Sequence, residues 1–162
     1  MTIQLESPDQ ADVIDLIDAL HAYQLTLYPP ESMYSLDLDA LMEPNVLFAV
    51  ARDQAGLAIA CGALVLTPAF GEIKSMYVRP EHRGQGWARK ILILLENQAV
   101  ARGCQQINLE TGHEQPEAIA LYSSLGYRRR GPFGDYDDDP LSFFMHKWVG
   151  AQEIQQQQQQ QQ

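Results

Sequence analysis

Cysteine is scarce: Cys61 and Cys104 are the only two in 162 residues, far apart and outside any C-x-x-C spacing. A disulfide scaffold is therefore excluded, and buried or inert thiols in a reducing compartment are the reading. Basic residues are also few, with 11 lysines and arginines against 21 aspartates and glutamates and a net charge of -10. A phosphate backbone or an anionic membrane surface would be repelled by that balance, so neither is expected as a partner. No apolar run approaches the roughly 20 residues of a membrane span. The start, MTIQLESPDQ, lacks the basic-then-apolar order of a secretory signal. The expectation is a cytoplasmic protein. The four histidines, His21, His82, His113 and His146, stand at no metal-ligand spacing, so no metal is expected.

What is present is a chain of one-domain length, long enough to bury roughly two-thirds of its unfolded surface. TIQLE alternates as a strand does. SPDQADVIDLIDALHAYQL opens with a capping-box pattern, Ser7 and Gln10 around Pro8, and carries Val13, Ile17 and Leu20 on one helical face. The prolines of TLYPPESMYS make a loop, and a short helix over LDLDALM ends before Pro44. VLFAVAR, LAIACGALVL and GEIKSMYV read as strands, the stretch from Trp87 to Arg102 as a buried helix, INLET as a strand and PEAIALYSSLG as a helix. Tyr127 to Arg130 and LSFFMHKW complete the strands. Mixed β-structure with helices on both faces is an α/β layer architecture. Residues 1–149 are expected to form one domain and residues 150–162 a disordered tail, whose glutamine homopolymer from Gln155 to Gln162 has no apolar side chains to offset ordering entropy.

The segment RPEHRGQGWARKI follows GEIKSMYV directly. Gly84 and Gly86 there would let main-chain amides approach a ligand, and the first amides of the next helix would be free donors at its positive dipole end. That combination binds phosphate or pyrophosphate. By itself the segment is equally a plain glycine-rich turn. Arg79, Arg83, Arg89, Lys90 and Arg102 gather in or near it, a local cationic patch suited to a small anion, although helix-surface charge accounts for part of it. A dinucleotide fingerprint is ruled out by Arg89 at its last small position, and a P-loop by the missing Gly-Lys-Ser/Thr.

The order of elements, with Arg83-x-x-Gly86-x-Ala88 followed one strand and one helix later by Gln115-Pro-Glu-Ala118-Ile-Ala-Leu-Tyr122-Ser-Ser-Leu-Gly126-Tyr127, resembles the GNAT superfamily of N-acetyltransferases. The likeness runs from about Met1 to Trp148. It implies a mixed, mostly antiparallel sheet whose central parallel pair, GEIKSMYV and INLETG, splays apart to admit acetyl-CoA. It further implies that the backbone of Met76, Tyr77 and Val78 pairs with the pantetheine amides. The amides from Arg83 through Gly84, Gln85, Gly86 and Trp87 to Ala88 would receive the pyrophosphate. Gln115 stands where the family usually has an asparagine that contacts the cofactor.

Acetyl transfer from a thioester needs a neutral amine and a protonated leaving thiolate. By resemblance, Tyr122 would donate the proton to sulfur, its alternative being an aromatic whose hydroxyl merely bonds the thioester. Glu72 would take the amine's proton through water, its alternative being an exposed strand-end carboxylate. A lysine-like amine near pKa 10.4 stands about 4 to 5 kcal/mol from its neutral form at pH 7, so a base matters most for such acceptors. Glu31 and Tyr34 in the PPES loop region, and Asp135 in GDYDDDP, resemble acceptor-side features of a bacterial subgroup of largely unassigned substrate; the acidic run is otherwise a solvated loop. The expectation is transfer to a primary amine of a small molecule by direct attack in a ternary complex. A protein or peptide amine as acceptor, and a non-catalytic acyl-CoA sensor, are the alternatives. The resemblance is compatible with a homodimer.

Overall fold

A computed structural model of the chain describes residues 1–150, and the expected polyglutamine tail falls almost wholly outside them. In chain order the strands are β1 (Thr2–Leu5), β2 (Val46–Arg52), β3 (Ala58–Leu66), β4 (Gly71–Val78), β5 (Gln106–Gly112), β6 (Arg128–Arg130) and β7 (Ser142–Trp148). The helices are α1 (Ala11–Leu27), α2 (Leu38–Leu41), α3 (Trp87–Ala101) and α4 (Pro116–Ser124), with single 3-10 turns at Pro30–Ser32 and Pro80–His82. The strands form one sheet in the order β1-β2-β3-β4-β5-β7-β6, antiparallel throughout except for β4 against β5. This is the mixed α/β sheet expected from the sequence. Among the described residues no helix is long and apolar enough to cross a membrane.

The sheet is covered on both faces. On one, α3 inserts Ile91, Leu92, Leu95 and Ala99 among Leu47, Ala49, Leu64, Ile73, Ile107 and Leu109. On the other, Val13, Leu16 and Ile17 of α1, with Leu41, pack on Phe48, Val50, Cys61 and Ala63. Burial of each large aliphatic side chain is worth roughly 1.5 to 3 kcal/mol. Packing of this kind, rather than intrinsic propensity, holds a 15-residue helix such as α3 in water.

One helix start differs from the sequence reading. The capping box placed Ser7 at the head of α1, whereas the helix begins at Ala11 with Gln10 as its cap. Ser7 instead closes a separate turn: its hydroxyl accepts from the Asp9 amide at 3.2 Å, and the Gln10 amide donates to Pro8 O at 2.9 Å. The Gln10 side chain is drawn to Glu6 and Arg52 and is not available to complete a box.

The feature that matters for the site is how β4 leaves β5. The two are in register over three pairs, Gly71 with Ile107, Glu72 with Asn108 and Ile73 with Leu109, and diverge beyond them. At the same level β4 bulges against β3, where the register shifts between Cys61 and Ala63. Ser75 sits in this bulge with φ 57, the one non-glycine residue of positive φ among those described. A bulge bends its strand and increases local twist, which turns the end of β4 away from β5 and opens a gap in mid-sheet. Gly62 faces the bulge. A Cβ there would overlap Met76 Sδ and lie 2.8 Å from Ile91 Cγ2, so a side chain at this position would have to displace both.

Candidate active site

The gap opens on one side into a cleft of about 670 Å³ and on the other into a pocket of about 80 Å³. Met76, Gln115, Tyr122 and Gln24 line both. Ten of the eleven residues expected on the cofactor side line the larger cleft: Met76, Tyr77, Val78, Arg83, Gly84, Gly86, Trp87, Ala88, Gln115 and Tyr122. The eleventh, Gln85, turns its side chain to accept from Trp87 Nε1 at 3.0 Å.

The loop before α3 has the donor geometry of an anion site. Gly84 and Gly86 adopt φ 76 and φ 85, a left-handed conformation that glycine reaches without steric cost. A Cβ at either would meet nothing within 4 Å, so it is the backbone angle, not space, that calls for glycine. The helix's first main-chain bond joins the Lys90 amide to Gly86 O at 3.1 Å, which leaves the amides of Trp87, Ala88 and Arg89 without helical acceptors. Arg83 differs from expectation in detail. Its amide donates to Pro80 O at 3.3 Å and its Nε to Val78 O at 3.1 Å, while its guanidinium lies over the rings of Tyr23 and Tyr77. It braces the cleft wall. Trp87 is 6% exposed and belongs to the α3 core while showing an edge to the cleft.

At the junction Tyr122 is buried, edge-on to Tyr127 at 5.7 Å, and its hydroxyl has no hydrogen-bond partner among the described residues. Burial, and then the charge of Glu110, raise its pKa. Gln115 holds the N-cap position of α4 and accepts from the Thr111 hydroxyl at 3.2 Å.

The small pocket is walled by contacts between distant segments. Lys74 Nζ donates to Tyr34 O at 2.6 Å and to the Tyr136 hydroxyl, which in turn donates to Glu72 Oε2 at 2.5 Å; Lys74 and Glu72 are 3.4 Å apart. Glu72 is thus neither an exposed strand-end carboxylate nor a lining group of the pocket. Burial, then the Glu72 charge, push the Tyr136 phenol far up. The Tyr34 hydroxyl donates to Asp139 at 2.8 Å, and that bond, with burial, raises the Tyr34 pKa to about 12. The Leu141 amide, and then Tyr34, hold Asp139 below its usual value. Tyr34 lines the pocket, whereas Glu31 and Asp135 are exposed and do not.

Sequence reasoning missed Tyr28, Lys74, Ser75, Glu110 and Tyr136. Alternation along β4 and β5 puts Lys74 on the face of Glu72 and Glu110 on the face of Asn108, a local signal that was available. Nothing local marks Tyr136, which meets Glu72 across 64 residues. Among the described residues no group of three or more histidine, cysteine, aspartate or glutamate side chains could hold a metal ion.

Residues 13–127 match the acetyltransferase (GNAT) family. The chain is 44% identical over 149 residues to an IAA acetyltransferase of Azospirillum brasilense, covering 91% of this chain and 97% of that protein. It is 37% identical over 151 residues to an uncharacterized N-acetyltransferase of Bacillus subtilis, covering 91% and 99%. The crystal structure of a putative acyl-CoA N-acyltransferase from Klebsiella pneumoniae superposes with a TM-score of 0.78 at 41% identity, over 92% of this chain and 97% of that one.

Proposed function

Since this chain belongs to the acetyltransferase (GNAT) family and is an acetyl-CoA-dependent N-acetyltransferase, we propose that it moves the acetyl group to a primary amine of a small molecule, by direct attack within a ternary complex. The observation that carries this reading is that Tyr122, Gln115 and Met76 border both cavities, so a thioester lying across the gap would meet an acceptor there.

The residues present fit the co-substrate. The larger cleft is of the size that ligand sites usually have. On its β4 edge Tyr77 and Val78 pair with β3 on one side, Met76 lies in the bulge, and all three lie beyond the last β5 pair on the other, so this main chain can bond to the pantetheine amides. The free amides around Gly84 to Ala88 suit the pyrophosphate. Gln115 can donate to the co-substrate in place of the family's asparagine. Tyr122 would give its proton to the departing sulfur. Against a thiol near 8.5 an ordinary phenol is about 2 kcal/mol too weak an acid, and burial of Tyr122 widens that gap. The same buried setting raises the thiol's pKa too, which narrows it again.

The acceptor side supports a small substrate. A space of about 80 Å³, closed by Tyr34, Lys74 and the loop ending at Leu141, suits an amine and its first few carbons better than a peptide chain. Two carboxylates could serve the amine: Glu110, which lines the pocket, and Glu72, which reaches it through Tyr136 and Lys74. The test is a screen of thiol release from acetyl-CoA across alkylamines, amino acids, polyamines and peptides. Turnover confined to small amines is expected. Turnover with peptides alone would replace the acceptor class, and coenzyme A binding without any turnover would favour a sensor.

A further inference from the structure

Glu110 is the first β5 residue past the last registered pair with β4, and its side chain lines the small pocket together with Lys74, Ser75 and Tyr122. Only one of its carboxylate oxygens is engaged: Oε2 accepts from the Ser142 hydroxyl at 2.7 Å, and Oε1 has no hydrogen-bond partner among the described residues. Ser75, also in the lining, is held at φ 57 with its hydroxyl oxygen buried and unpartnered. Its hydroxyl is closed off from the pocket and offers an acceptor no contact. A free carboxylate oxygen therefore stands in the lining of the same small space as Tyr122. Glu72 differs on each point, being occupied by Tyr136 and Lys74 and absent from the lining.

We propose that Glu110 is the catalytic residue that receives the acceptor's ammonium group and takes its proton, and that Glu72 is a positioning residue for Lys74 and Tyr136. The inference rests on the acetyltransferase reading above and assigns its missing base. The ammonium first gives one proton to Glu110, which passes it to solvent. The neutral nitrogen attacks the thioester carbonyl, the C–N bond forms, and the C–S bond breaks as the sulfur takes the Tyr122 proton. The second proton, left on the new nitrogen, restores Tyr122. The sum is one amide, one thiol and one proton released.

The charged and titratable groups facing Glu110 come from every element around it: Lys74 and Glu72 on β4, Tyr28 and Tyr34 on the α1 side, Tyr136 and Asp139 before β7, and Tyr122 on α4. Burial is the largest influence and raises the carboxyl's pKa. Ser142 and Lys74 oppose it, and the charges of Glu72 and Asp139 add to it. The base is competent only when ionised, so activity should climb as pH rises through this raised value. A carboxylate shifted this way stands closer in basicity to the amine it serves.

The test uses n-propylamine as the acceptor, with thiol release followed from acid to neutral pH for the wild type, Glu110→Gln and Glu72→Gln. Glu110→Gln should lose about 100-fold or more in kcat/KM for propylamine, the usual scale for a lost general base, with the acid limb abolished and the acetyl-CoA KM unchanged. Glu72→Gln should lose less and keep that limb. Retention of the limb in Glu110→Gln, or its loss in Glu72→Gln, would overturn the assignment. A second measurement does not need turnover: the carboxyl carbon-13 resonance missing from Glu110→Gln should titrate above the ordinary glutamate value and shift when propylamine is added. An ordinary titration indifferent to propylamine would overturn the proposal. A responsive Glu110 in an enzyme that acetylates no amine would instead uphold the amine site and sink the acetyl-transfer reading.

Discussion

The Tyr28 hydroxyl occupies the place that a Cβ on Gly112 would take. Gly112 ends β5, and Tyr28 caps α1 and accepts from the Glu114 amide at 3.2 Å, so their contact fastens α1 to the far end of the splayed pair. Both line the small pocket. Gly112→Ala must displace the phenol and should cost about 1 to 3 kcal/mol, the usual price of overpacking. Acceptor KM should rise while coenzyme A affinity, measured calorimetrically, stays within twofold. The Cβ would also overlap the ring carbons Cζ and Cε1, so the relieving change is Tyr28→Ala, and a Gly112→Ala substitution that costs as much in a Tyr28→Ala background as in the wild type would count against a clash with this side chain as the cause.

Gly84 and Gly86 lend themselves to a cleaner separation of space from backbone angle. Since a Cβ at either meets nothing within 4 Å, alanine there is opposed only by φ, at roughly 1 to 2 kcal/mol per site. Asparagine tolerates the left-handed region better and should cost less than alanine although it is larger. Thermal melts should rank glycine above asparagine above alanine at position 86, and calorimetry with coenzyme A should give the same ranking. An asparagine variant worse than alanine would mean that bulk matters and that the open space is wrongly assigned.

Much of this architecture was readable from local patterns because local physics dictates it. The α3 boundaries follow from left-handed glycine at its head and the Arg102-Gly103 stop, and the two-faced helix cover from the apolar spacing of Val13, Ile17 and Leu20. The cleft residues from Met76 to Tyr122 came instead from the family resemblance, local physics pointing only to the amides around Gly84 and Gly86. The acceptor pocket was not legible in the same way. GEIKSMYV reads as an uninterrupted strand, and its bulge at Ser75 shows only in the register with β3, which shifts between Cys61 and Ala63. The acidic loop looked like solvated charge, yet Tyr136 and Asp139 within it close the wall through Glu72 and Tyr34. Whether a carboxylate is free or engaged depends on residues dozens of positions away, which alternation along one strand does not encode.

Arg52 gathers the first helix onto the sheet and makes stability pH-dependent. Its guanidinium donates to Glu6 at 2.9 Å, to Asp12 at 2.7 Å and to the Gln10 amide oxygen at 3.0 Å, and Asp12 also accepts from the Ala58 amide. Burial alone would raise both carboxyls, but the hydrogen bonds from Arg52 and their neighbours outweigh it and hold both pKa values below normal. Depressed carboxyls contribute stability above their unfolded values and lose it as pH falls through the folded ones. The melting temperature should therefore drop on acidification across the ordinary carboxylate range and below. In Arg52→Gln it should start lower at neutral pH and fall less steeply. Parallel curves for the two proteins would remove this network from acid stability.

Tyr122→Phe isolates chemistry from architecture more sharply than any other single change here. The ring keeps its edge contact with Tyr127, and the hydroxyl that is lost has no partner among the described residues, so stability should stay within about 0.5 kcal/mol. Coenzyme A affinity should hold as well, since the cleft's donors are main-chain amides around Gly84 to Ala88. What should fall is kcat, by roughly 100-fold, because the thiolate must then leave without a proton or wait for one from water. The raised Tyr122 pKa means that the wild-type hydroxyl stays protonated throughout the neutral and mildly alkaline range, so it should impose no alkaline decline there. A thioester whose leaving thiol is intrinsically more acidic needs that proton less, and the variant's deficit should shrink with such a donor. An equal deficit with both donors would make Tyr122 a binding group for the thioester and leave protonation of the sulfur to another source.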